Sequence, residues 1–72
     1  MTNTAELERV IAESGFKKSY IAKVLGLSRQ GLRNKILNIQ PFTTREVQAL
    51  CDLLRIEELS VKEDIFFHFD VI

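Results

Sequence analysis

Ala22, Gly26 and Ser28, set among the leucines and isoleucines of Lys18–Ile36, constrain this chain more than any other feature. Ile21, Ala22 and Leu25 fall at the spacing of one helix face, and that helix closes at Gly26. Two helices that cross near a right angle come closest at a single point, and Ala22 is small enough to stand there. Gly26, four residues on, can take the positive φ that redirects the chain within a three-residue turn. Ser28 is a natural N-cap for the next helix, whose inner positions are Leu32 and Ile36. Leu25, Leu27 and Leu32 then hold the pair against the rest of the chain.

The rest reads as helices too. Leu7, Val10 and Ile11 sit at i, i+3, i+4 in a first helix, with Asn3 and Glu6 to cap its start and Gly15 to end it. The stretch Asn38-Ile39-Gln40-Pro41-Phe42 is a loop, because Pro41 forbids helix through it. Thr43 and Glu46 form a T-x-x-E capping box for a fourth helix buried through Val47, Leu50, Leu53 and Leu54. Ser60 and Glu63 repeat that signal for a short fifth helix carrying Val61, Ile65 and Phe66. The tail Phe67-His68-Phe69-Asp70-Val71-Ile72 alternates with period 2 and suits a short strand, or a last helical turn followed by an apolar plug. The expected fold is all-α: one compact five-helix domain over residues 1–72 with a short apolar C-terminal tail.

At 72 residues the chain is one small domain, burying about 60% of what its unfolded form exposes. One cysteine excludes an internal disulfide framework, and one histidine beside it leaves no set for a structural zinc. No apolar run approaches the roughly 20 residues of a membrane span, and the polar start does not read as a signal peptide. Net charge is zero, but its distribution is lopsided. Residues 1–40 carry seven Lys and Arg against three acids, and residues 41–72 carry three against seven. No acid lies between Phe16 and Ile36. Such asymmetry marks a basic contact face, or a run of solvated lysines.

The run Ile21-Ala22-x-x-Leu25-Gly26-Leu27-Ser28-Arg29-Gln30-x-Leu32 resembles the helix-turn-helix of the small phage repressor and Cro family, the XRE-like group. The whole chain is similar to Cro-like or repression-modulating proteins of temperate phages of Gram-positive bacteria. The resemblance implies a lambda-repressor-like fold with the helix-turn-helix over about residues 18–37. The default compartment is the cytoplasm, that of a bacterial host cell by the resemblance, and no cofactor is expected. Lys17 is a poorer start to the second helix than that family often uses.

The second helix of such a unit enters the major groove by its exposed N-terminal end. Arg29, Gln30, Arg33 and Asn34 lie on its expected outer face. Arg reads guanine bidentately, and Gln or Asn reads adenine. Lys17, Lys18, Ser19, Lys35, Asn38, Gln40, Thr43 and Thr44 flank that end and are candidate phosphate contacts, or plain solvated side chains. Gly31 costs about 1 kcal/mol in a helix relative to Ala, so it is either a close approach or a tolerated glycine. Glu57-Glu58 and Glu63-Asp64 read as capping and solvation, with no cleft or nucleophile to make an enzyme. Cys51 and Tyr20 are expected to be packing residues, Tyr20 semi-buried.

Two kinds of job follow. One is a regulator binding a double-stranded operator, as a dimer, because one such module covers only a half-site. The other is an antirepressor that captures a partner repressor protein, which zero net charge and the acidic second half favour. Either role makes Glu57, Glu58, Glu63, Asp64, Phe66, Phe67 and Phe69 the expected protein interface. The alternative for the phenylalanines is that they complete the chain's own core.

Overall fold

The computed structural model describes residues 2–56 and 59–66, with Leu59 and Ser60 by their backbone alone. Its order is α1 Thr4–Ser14, α2 Lys18–Leu25, α3 Arg29–Ile36, α4 Thr44–Leu54 and α5 Leu59–Phe66. The described part is all-helical, as the apolar spacing predicts. The expected strand or plug at 67–72 lies outside the described residues, and so do Glu57, Glu58, Phe67 and Phe69.

Most helix ends follow the residues that signal them. Asn3 Oδ1 accepts from the Glu6 amide at 3.2 Å, and Ser28 Oγ from the Gly31 amide at 2.9 Å. Thr43 and Glu46 form the complete reciprocal box. Gly15 and Gly26 close α1 and α2 at φ 77° and 73°, where a Cβ would be strained. The exception is α5, which already includes Leu59, so Ser60 stands in the first turn instead of before it.

α2 packs on α3 and α4, and α1 covers α3, α4 and α5. The centre is Leu7, Ile21, Leu32, Leu50 and Ile65, all fully buried, each stabilising the fold by about 1.5–3 kcal/mol. Ala22, at 1% exposure, stands where α2 meets its neighbours. Cys51 is a small core residue, and burial pushes its thiol pKa up. Tyr20 is about half exposed, at 48%, and packs on Phe16 with ring centroids 5.5 Å apart. Its position on α2 turns away from the face that Ile21 and Leu25 bury, so only the neighbouring ring shelters it.

The N-terminal residues tie the two ends of the bundle together. The Asn3 amide donates to the Ile65 carbonyl of α5 at 2.5 Å. Thr2 donates its amide to Asn38 Oδ1 at 2.9 Å and accepts from Asn38 Nδ2 at 2.8 Å. Thr4 Oγ1 donates to the Ile36 carbonyl at the end of α3. Asn38 itself is left-handed at φ 64°, a conformation Asn tolerates better than most residues.

Candidate nucleic-acid interface

The turn between α2 and α3 decides what faces outward. Gly26 turns the chain, and its amide together with that of Leu27 closes on the Ala22 carbonyl. Ser28 is extended at ψ 163°, so α3 starts sharply at Arg29. Leu32 and Ile36 point inward, which places Arg29, Gln30 and Arg33 on the exposed side and Asn34 at its edge. Gly31 has a reason here. A Cβ at that position would meet Ser28 Oγ at 3.1 Å, so the glycine leaves room for the cap.

Gln30 and Asn34 are joined along the helix. Gln30 Nε2 donates to Asn34 Oδ1 at 2.9 Å, leaving Gln30 Oε1 and one remaining N–H pointing out. That is the acceptor–donor pair an adenine edge requires. Arg29 and Arg33 stand a turn apart on the same side, over a groove of about 580 Å³ that Lys18, Gln30 and Leu32 also line.

Ion pairs redistribute the charge read from the sequence. Arg9 is held between Glu6 and Glu13 on α1, and both carboxylates raise its pKa. Lys18 Nζ lies 2.9 Å from Glu8 Oε2, with both side chains partly solvated. Glu8 was not a candidate on sequence, yet it lines the groove beside Arg29 and Arg33, and its Oε1 is shielded with no hydrogen bond among the described residues. Lys17, Lys23, Arg29 and Arg33 have no acidic partner among the described residues. All four lie in the acid-free stretch.

Two expected phosphate contacts, Lys35 and Asn38, already have partners within the chain, and Asn38 is exposed. Lys35 pairs with Glu46, and each side chain keeps only 12% of its surface exposed. Asn38 uses its amide on Thr2. Neither signal is visible locally, because the partners are eleven and thirty-six residues away. Phe66 is likewise not free as an interface anchor: it is buried at 6% and meets Phe42 edge-to-face at 5.7 Å. The remaining flanking groups face solvent. No side chain caps α2; the Tyr20 and Ile21 amides close on the Lys17 carbonyl, and those of Lys18 and Ser19 have no side-chain cap. Gln40, Thr43 and Thr44 are exposed near the start of α4, with Thr43 serving as its cap.

Residues 4–37 match the family described as bacterial regulatory protein, Fis family, a helix-turn-helix family. The match begins with α1 and ends just past α3, covering slightly under half of the chain. The chain carries a bacterial DNA-binding helix-turn-helix. The matched family is not the phage repressor and Cro group that the turn motif resembles, so the comparison reaches the regulator class and stops there. No curated protein and no solved structure matches the chain. No helix among the described residues is long and apolar enough to cross a membrane.

Proposed function

We propose that this chain is a transcriptional regulator that reads a double-stranded operator through Arg29, Gln30, Arg33 and Asn34 of α3, within a phage-type lysis/lysogeny switch. The observation that carries this is the exposed start of α3. Behind a sharp Ser28 cap, side chains suited to guanine and adenine share one face, near Lys17 and Lys23, which have no acidic partner among the described residues. Lys17, Lys18, Ser19, Gln40, Thr43 and Thr44 would hold the backbone on either side. A dimer is the working unit, since one such helix covers only a half-site.

A second reading has its own support. Glu63 and Asp64 are exposed on α5. An acidic surface of this kind fits the basic DNA-reading face of a repressor and would occlude it. The deciding experiment is a salt-varied binding titration against DNA from around the chain's own gene, with and without the neighbouring repressor. Specific retardation by the chain alone supports the operator reading. Binding only to the repressor, with loss of the repressor's own DNA affinity, supports the antirepressor reading.

A further inference from the structure

We infer that Lys35 and Glu46 are positioning residues for base reading: their part-buried ion pair sets the angle at which α3 presents Arg29, Gln30 and Arg33. The inference rests on the proposed DNA-reading role of α3.

Glu46 is a fixed point. Its Oε1 accepts from the Thr43 amide at 2.9 Å while Thr43 Oγ1 accepts from the Glu46 amide at 3.2 Å, so the carboxylate is locked to the first turn of α4. The same oxygen receives the Lys35 ammonium from the last turn of α3, across the loop Asn38–Phe42. On its other side that last turn is held by Thr4 on the Ile36 carbonyl and by Thr2 on Asn38. The first turn of α3 is held by the Ser28 cap and by Leu32 in the core, with no ion pair among the described residues, and Arg29 and Gln30 stand over the open groove.

Leverage makes the tether matter. Lys35 and Arg29 are six residues apart, about 9 Å along a helix. A swing of about 10° about the buried Leu32, three residues and about 4.5 Å from Arg29, moves the reading end by about 0.8 Å, more than the roughly 0.5 Å a productive contact geometry tolerates. Stability does not account for the pair equally well. Two long side chains are withdrawn from water to make it, and apolar replacement of such pairs is often neutral or stabilising. Geometry is what an apolar contact would not supply.

The test begins by selecting preferred duplexes from a random pool with the wild-type protein. Binding of Lys35→Met/Glu46→Gln is then compared on a selected duplex and on a shuffled one, over a range of salt. Met keeps the stem of Lys35, and Gln keeps the capping box. The expected result is a retained cooperative melt, a preference reduced tenfold or more, and an unchanged salt slope. Unchanged preference overturns the inference. So does an equal loss on both duplexes with a slope shallower by about 1, which would make Lys35 a phosphate contact. Should the double variant not fold, Glu46→Gln alone decides: a smaller loss of preference at constant slope supports positioning, and full retention overturns it. A wild-type protein that enriches no sequence defeats the DNA-reading proposal itself, and the inference with it.

Discussion

Ala22→Leu is the sharpest test of why the two central helices can approach. Ala22 is 1% exposed, and its carbonyl accepts from the Leu27 amide at 2.8 Å, so neither its side chain nor its backbone can retreat. Leucine adds three carbons at a contact with no space for them. Overpacking of this kind costs about 1–3 kcal/mol. A chain of this size is stable by roughly 4–11 kcal/mol in total, so the loss is a large fraction. With an unfolding entropy of about 2.1 cal/mol/K per residue, the melting temperature should fall by about 7–20 °C. Circular dichroism melts of the wild type, Ala22→Leu and Lys23→Leu measure it, the last adding apolar volume at an exposed position of the same helix. If Ala22→Leu melts within two or three degrees of the wild type, about the spread of a surface change, the close crossing is not what holds α2 in place.

Other outcomes follow from the site. Arg33→Ala or Gln30→Ala should each cost about 1–3 kcal/mol of operator binding and relax preference at one base pair, read by competition with single-base variants; equal losses on every sequence would remove the base-reading role. Gly31→Ala should be nearly neutral to stability, because about 1 kcal/mol of helix propensity is offset by displacing the Ser28 cap. In a Ser28→Ala background the same change should stabilise by about 1 kcal/mol, and additive effects in that double-mutant cycle would refute the contact. Burial works against the Glu46 carboxylate, but the Lys35 ammonium and the Thr43 amide outweigh it and hold its pKa below the ordinary range. Because the folded value is depressed, its contribution is present above the usual carboxylate pKa of about 4.3 and is lost as pH falls through the folded value. The melting temperature of Glu46→Gln should therefore fall less than the wild type's on acidification, and parallel curves would contradict this.

What was legible in the sequence is what depends on neighbours in sequence. Helix starts at Asn3, Ser28 and Thr43, the turns at Gly15 and Gly26, and the inward faces of α1 to α4 each rest on contacts within four residues. The outward face of α3 follows from the same periodicity, because Leu32 and Ile36 fix which side remains. Tertiary pairing was not legible. Lys35 sits among basic, outward-facing residues and looks like another phosphate contact until Glu46 is brought beside it. Asn38 follows a helix end like any loop residue until Thr2 closes on it. Tyr20, by contrast, packs on Phe16, a neighbour four residues away on the same side of the chain.

These pairings also bear on how such a chain would bind DNA. The seven basic residues of the first forty overstate the available charge, because Arg9 and Lys35 each have a carboxylate within the fold and Lys18, half exposed, must exchange Glu8 for a phosphate before it contributes. Lys17, Lys23, Arg29 and Arg33 are left, and two of these are candidates for reading bases, not phosphates. Each phosphate neutralised contributes roughly 0.9 to the salt slope, so a single chain has little nonspecific affinity to draw on. Under the proposed operator reading, binding energy would come from base contacts made at the right angle and from a second copy of the chain. That places the burden on the geometry of α3 more than on its charge, and a reading helix tethered at its last turn is suited to bear it.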